Sequence, residues 1–350
     1  MKKLFSISIL CLIVFVITAC GDENESGSNE SGDSGQGGDA EFTLKIGGSQ
    51  PAENLDSQTM YKFKEVLEEK SDGRIEVEVY PANQIGNMTE MNEAVQSGTQ
   101  DLSYTSIAYI AGNYVEKLNA LAMPYLITED NLDKVWELLD EGEIGQELQE
   151  SLNEVGYVNI GFGPLGYRNT TNDTRQIKSP EDYEGIKIRL QPNDAHIKTF
   201  ETLGASPVGM NFAEVYSALQ QGVIDAQENP LSIINDNNFA EVQQYLTIDR
   251  HFFDLYGMWM SKKVLDELPE DLQEIVKESG MEAVQFHRDE YFKNEAEMLE
   301  KLSDEIEIYE PTPEEIAQFQ EATKPVYDWY LEETEDKEFA EKLWQELGLD

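Results

Sequence analysis

Apolar and polar residues along this chain alternate in two rhythms, and their order predicts the fold class. Phe42, Leu44 and Ile46 are separated by Thr43 and Lys45, the period of two that a strand shows when one face is buried. Met60, Phe63, Val66 and Leu67 then recur at helical spacing until Ser71-Asp72-Gly73, a stop signal. Alternation returns from Arg74 to Tyr80, with Ile75, Val77 and Val79 on one side and Arg74, Glu76 and Glu78 on the other. The same reading predicts a helix over Met91, Ala94 and Val95 closed by Gly98, a strand near Leu102 to Thr105, and helices near Leu132 to Leu139 and Ile144 to Val155. Tyr157 to Gly163 reads as a strand leading into a crossing. A second set of units follows, through Ile186, Ile188 and Leu190, then Phe200 and Leu203, then Phe212 to Gln221. Strands and helices in alternation predict an α/β fold, its sheet mostly parallel and covered by helices on both faces.

From Glu270 to Asp304 there is no proline and one glycine, Gly280, while Leu272, Ile275, Val276, Val284, His287, Tyr291, Met298 and Leu302 keep an approximate helical period. This predicts one long helix or two abutting ones. A single helix over that stretch would be about 52 Å long at the usual rise per residue, longer than one domain is wide. The chain beyond residue 40 exceeds what one core usually organises, so two domains are expected, the second beginning near Gly166.

The first forty residues follow neither rhythm. Lys2 and Lys3 precede an uncharged, mostly apolar run from Leu4 to Ile17, too short for the roughly 20 residues of a membrane-spanning helix and typical of a signal peptide. The run ends in Ile17-Thr18-Ala19-Cys20-Gly21, which resembles the lipobox of bacterial lipoproteins and makes Cys20 the expected lipid anchor. The alternative is an ordinary cleavage with Cys20 incidental. Residues 21–40 are rich in Gly, Ser and acidic side chains and contain no large aliphatic residue, so they cannot bury enough surface to fold and read as a tether of about 25 Å root-mean-square span. The two cysteines are Cys11 and Cys20, which leaves the predicted fold without thiol or disulfide chemistry.

The formal charge is −45, with 70 acidic side chains against 25 Lys and Arg. Such a balance argues against nucleic acid as a partner. It makes a surface soluble without marking any single carboxylate as functional. It also gives each well-placed arginine weight as a candidate for binding an anion. In Gly185-Ile186-Lys187-Ile188-Arg189, Arg189 lies on the polar side of a strand whose other side is apolar, and its planar fork can grip a carboxylate through paired hydrogen bonds. On spacing alone a surface salt bridge, easy to form amid so many carboxylates, is the commoner explanation. Asn211 precedes a helix carrying Glu214, a variant of the capping box, and reads as a cap. That helix stops at Gly222, and Gln227, Glu228 and Asn229 follow a buried run, where ligands collect at the ends of strands.

These segments resemble a known family. Gly185–Arg189, Leu203-Gly-Ala-Ser-Pro-Val-Gly-Met210 and Phe212-Ala-Glu-Val-Tyr216 through Gly222 to Glu228-Asn229-Pro230 look like the solute receptors of tripartite ATP-independent periplasmic (TRAP) transporters, of the C4-dicarboxylate-binding type. The likeness extends upstream through Ser71–Pro81 and Gln84-Ile-Gly86 and downstream through Leu268–Gln273. It implies a periplasmic-binding-protein-like fold of two α/β domains, 41–166 with about 255–294 and 167–254 with about 295–350. A cleft lies between them and a long helix spans both. It implies that Arg189 pairs with a ligand carboxylate, that Arg168 in Tyr167-Arg168-Asn169 is a second ligand arginine, and that Phe212 and Asn229 face the ligand. Glu90 matches a polar position that can face the cleft, or is an exposed helix residue. The implied function is capture of a small organic anion (a dicarboxylate, sugar acid or keto acid) and delivery to membrane permease subunits, with no cofactor and no contact with the bilayer beyond the lipid.

Two other readings compete. An enzyme is disfavoured because His196, His251 and His287 stand alone and the chain lacks the usual nucleophile-elbow, zinc and phosphate-loop signatures. A lipoprotein receptor for an ATP-driven importer, or a cell-surface sugar-binding module, would draw instead on the four Trp and sixteen Tyr.

Overall fold

The computed structural model describes residues 40–349; the predicted signal peptide, the tether and Cys20 lie outside them. One mixed sheet runs through the whole fold. Its strands are β1 (Phe42–Gly48), β2 (Ile75–Tyr80), β3 (Leu102–Ser106), β4 (Tyr157–Asn172), β5 (Lys187–Leu190), β6 (Ser206–Gly209), β7 (Ala226–Asn229), β8 (Tyr245–Ser261) and β9 (Glu307–Tyr309). Their order is β2-β1-β3-β8-β4-β7-β5-β6, with β9 beside β8. The parallel pairing expected from the sequence holds at each end, where β1 lies between β2 and β3, and β5 between β6 and β7. In the middle it fails: β3 and β4 pair with β8, and β4 with β7, antiparallel. The reason is length. β4 and β8 are far longer than the strands around them, and each passes from one lobe into the other. Gly166 faces Asp254 and Tyr167 faces Phe253 across that ladder, so the two expected domain boundaries are cross-strand neighbours.

Burial explains why the alternation was readable. Ile75 and Val77 are buried while Glu76 between them is exposed, and Leu44 and Ile46 are buried beside an exposed Lys45. In β4 and β8, by contrast, both faces are covered and the rhythm is lost, so the strand read from Tyr157 continues to Asn172.

The helical stretch of residues 270–304 is two helices, Glu270–Tyr291 and Glu295–Ser303, joined by a single 3-10 turn. The first packs on the Leu55–Lys70 helix and on β4; the second packs on the Leu231–Asp236 helix and on β9, so the pair spans both lobes. Where the first helix ends, the Tyr291 hydroxyl accepts a hydrogen bond from the Tyr167 amide at 3.0 Å. Gly166, at a bulge in β4, has φ +116°, and a Cβ there would lie inside the Tyr291 ring. Glycine is required twice over, for its backbone conformation and for the room. Gly166→Ala is therefore expected to destabilise the fold by roughly 2 kcal/mol or more in urea denaturation. An unchanged midpoint would mean that Tyr291 does not pin the lobe crossing.

Candidate functional site

β5 is short and buried, and it projects Arg189 away from the apolar side occupied by Ile188 and Leu190. The side chain is 1% exposed. Its Nε and Nη2 donate to the carbonyl oxygen of Met210 at 2.9 and 2.6 Å, Nη2 also donates to the Tyr109 hydroxyl at 3.2 Å, and the guanidinium lies 5.9 Å from the centre of the Phe212 ring. No carboxylate pairs with it among the described residues, which removes the surface-salt-bridge explanation. Nη1 is buried and has no hydrogen-bond acceptor. Burial pulls the group below the ordinary arginine range, yet an arginine keeps its charge.

Arg189 lines a small buried cavity. The second lobe contributes Arg189, Gln191, Phe212, Asn229 and Ile233. The first supplies Gln50, Met88, Ser106, Tyr109, Leu165 and Tyr256. Every one of these is buried, so the lobes are closed over the cavity. Direct bonds hold them together: Asn237 donates to Gln50 Oε1 at 2.9 Å and Asn54 donates to Asp236 at 2.6 Å. A wider crevice nearby is lined by Glu53, Asp56, Asp236, Glu295 and Glu297 against Lys301. Its acidity unsuits it to an anion, and burial pushes the Asp56 carboxyl up to about 8.

The sequence-predicted residues divide between these surroundings. Arg189, Phe212 and Asn229 line the closed cavity. Arg168, on β4, is fully buried but already committed. It forms a bidentate pair with Glu228 and donates to the Glu228 carbonyl at 2.6 Å and to Asn229 Oδ1 at 3.1 Å, while its Nη1 lies 3.5 Å from Asp254 and makes no hydrogen bond there. It acts on Asn229 from behind rather than lining the cavity. Glu90 does not reach the cavity: it is exposed, and it closes a capping box with Asn87 at the start of the Met88–Ser97 helix. Asn211, expected as a cap, makes no capping bond; its side-chain oxygen accepts instead from Thr89 of the first lobe at 3.4 Å. Of the polar run 227–229, Gln227 bonds Thr171 and Glu228 bonds Arg168, leaving Asn229 to the cavity.

Tyr109, Ser106, Gln50 and Gln191 were not read as site residues. Tyr109 sits in the short Ile107–Ala111 helix straight after β3, within a run buried on every side and so without period. Its oxygen accepts from Arg189 and from the Phe212 amide, which leaves its own proton to give. Behind the cavity, His251 lies 3.2 Å from Glu228 and 3.1 Å from Asp249. Burial alone would depress it, but the two carboxylates override burial and raise it to about 9. Glu228 is held well below the usual carboxylate range: burial opposes its ionisation, and Arg168 and His251 prevail.

The fold and this site define a two-lobed extracytoplasmic solute receptor that closes over a small anion. The model of bacterial extracellular solute-binding protein family 7 matches residues 46–334, and the chain belongs to that family, whose members are solute receptors rather than enzymes. It is 30% identical over 270 residues to the C4-dicarboxylate-binding periplasmic protein of Rhodobacter capsulatus, covering 76% of this chain and 80% of that one. Among solved structures it resembles a TRAP periplasmic solute binding protein from Sulfitobacter sp. NAS-14.1 with bound β-D-galacturonate, at TM-score 0.81 and 29% identity over 87% of this chain and 99% of that one. Another such receptor, from Sulfurospirillum deleyianum with bound succinate, matches at TM-score 0.81 and 29% identity over 87% and 98%.

The raised His251 makes stability depend on pH in a definite direction. A folded pKa above the unfolded value contributes stability that is complete below about 6.5 and lost as pH rises through about 9. Urea denaturation is expected to show the parent losing roughly 3 kcal/mol more than His251→Gln between pH 6 and 10. Parallel losses would place the His251 charge outside the fold's energetics.

Proposed function

We propose that this chain is the receptor of a TRAP transporter, taking a small carboxylate-bearing organic anion between its lobes and presenting the closed form to membrane permease subunits. The lobes are residues 41–166 with about 255–294, and 167–254 with about 295–350. The ligand carboxylate sits on Nη1 of Arg189, with the Tyr109 hydroxyl as a further donor, Phe212 against the carbon skeleton and Asn229 at the cavity wall. Arg168 serves by fixing Asn229 and the local field. The observation that carries this reading is the Nη1 atom of Arg189, which is buried and cationic and has no acceptor among the described residues. Burying such a donor unpaired is costly, and a ligand carboxylate meets that need. Related receptors hold galacturonate and succinate, both carboxylates. Cys20 anchors the mature chain to the membrane through lipid, with residues 21–40 as the tether.

Thermal-shift and calorimetric screens of the full chain against mono- and dicarboxylates, sugar acids and neutral sugars test the reading. A carboxylate is expected to stabilise the parent, and Arg189→Ala to weaken that ligand by about 30- to 5,000-fold, the roughly 2 to 5 kcal/mol of a buried charged contact. Stabilisation by neutral sugars alone, or equal affinity in the variant, would point to a different binding module. For the anchor, Cys20→Ser is expected to move the protein from the membrane fraction to the soluble one; retention on the membrane would rule out lipidation at that cysteine.

A further inference from the structure

Within the anion-receptor reading, the cavity also sets the class of anion. Gln191 lines it and is buried. Its Nε2 donates to Asp254 at 2.7 Å, and that bond fixes which way the amide faces, because a carboxylate accepts and cannot donate. Oε1 is the atom left over, and it is buried with no partner. The cavity therefore has two unmet needs of opposite kind: the Arg189 nitrogen seeks an acceptor, and the Gln191 oxygen seeks a donor. A ligand carboxylate answers the first. It cannot answer the second, since a carboxylate facing Oε1 sets acceptor against acceptor, with the Asp254 carboxylate behind the amide.

Charge supports the same conclusion. Arg168 is already held between Glu228 and Asp254, and His251 between Glu228 and Asp249, so Arg189 is the one cavity cation without a carboxylate among the described residues. A second ligand carboxylate would find no further cation in the cavity lining. Nor does Asp254 call for a ligand ammonium: it accepts from Gln191, from Ser106 at 3.0 Å and from the Leu255 amide at 2.8 Å, with Arg168 beside it. The remaining donor of the right size is a hydroxyl. We infer that the ligand is a hydroxylated monocarboxylate whose carboxylate lies on Arg189 and whose hydroxyl donates to Oε1 of Gln191, which makes Gln191 the residue that separates hydroxy acids from dicarboxylates.

Probes matched in length isolate the claim. Calorimetry on the full chain would compare erythronate, butyrate, succinate and 2-aminobutyrate, which share four carbons, and gluconate, hexanoate and adipate at six. The hydroxylated monocarboxylate of at least one length is expected to bind about 100-fold more tightly than its alkyl and dicarboxylate partners, because a site built around an unpaired polar atom rejects analogues that leave it unpaired. Gln191→Met is expected to weaken that hydroxy acid about 10-fold or more while changing the alkyl acid less than about threefold. The ranking on the parent stands even if the variant fails to fold. A dicarboxylate or 2-aminobutyrate binding tightest, or equal losses for hydroxylated and alkyl acids in the variant, would overturn the role of Gln191 and leave the receptor reading intact. Binding of no carboxylate at all would overturn both.

Discussion

A cation removed from water without a counter-ion is the constraint around which this molecule is arranged. Arg189 is 1% exposed, and what surrounds it offsets only part of its lost hydration: one carbonyl, one phenol and the face of one ring. Such an arrangement is unstable unless the remaining donor finds an acceptor. The partners that hold it come from both lobes, with Met210 and Phe212 from the second and Tyr109 from the first. The guanidinium therefore meets its full shell only when the lobes are together. Under the proposed function, ligand capture and lobe closure are in this sense the same event, since the anion satisfies the last nitrogen in a space walled by both lobes.

The second arginine shows the opposite solution. Arg168 is equally buried, but Glu228 and Asp254 compensate it, and its bond to Asn229 orients a cavity residue that it does not accompany. These groups are not scattered. Arg168 lies on β4, and Asp249, His251 and Asp254 lie on β8, the two strands that cross between lobes; Glu228 lies on β7, paired with β4. The charge cluster thus sits on the segments that cross between the lobes, next to Gly166, whose conformation no other residue adopts without strain. A single packed layer joins the lobe crossing, the compensating charges and the cavity.

How much of this was legible in the sequence follows from burial on one face or two. β1 and β2 expose one side over much of their length, so their side chains alternate and the strands were readable; β5 is buried on both sides, but its basic residues Lys187 and Arg189 alternate with Ile186, Ile188 and Leu190 and keep the rhythm visible. β4 and β8 are covered on both, so their extent and antiparallel pairing left no rhythm. The pairing of Arg168 with Glu228 was not legible, because the two are 60 positions apart and nothing local signals the pair. Glu90 drew attention through a motif whose explanation is local, a capping box with Asn87. Tyr109 and Ser106 were invisible for a different reason. They belong to a turn from strand to helix in which every residue is buried, and only the folding of the first lobe against the second gives them a task.

The most direct measurement is a crystal structure of the full chain with the carboxylate that stabilises it most. The account predicts closed lobes with one carboxylate oxygen within hydrogen-bond distance of Arg189 Nη1 and the Tyr109 hydroxyl. A ligand whose carboxylate lies elsewhere, with Arg189 Nη1 still unpaired or bonded to water, would contradict it.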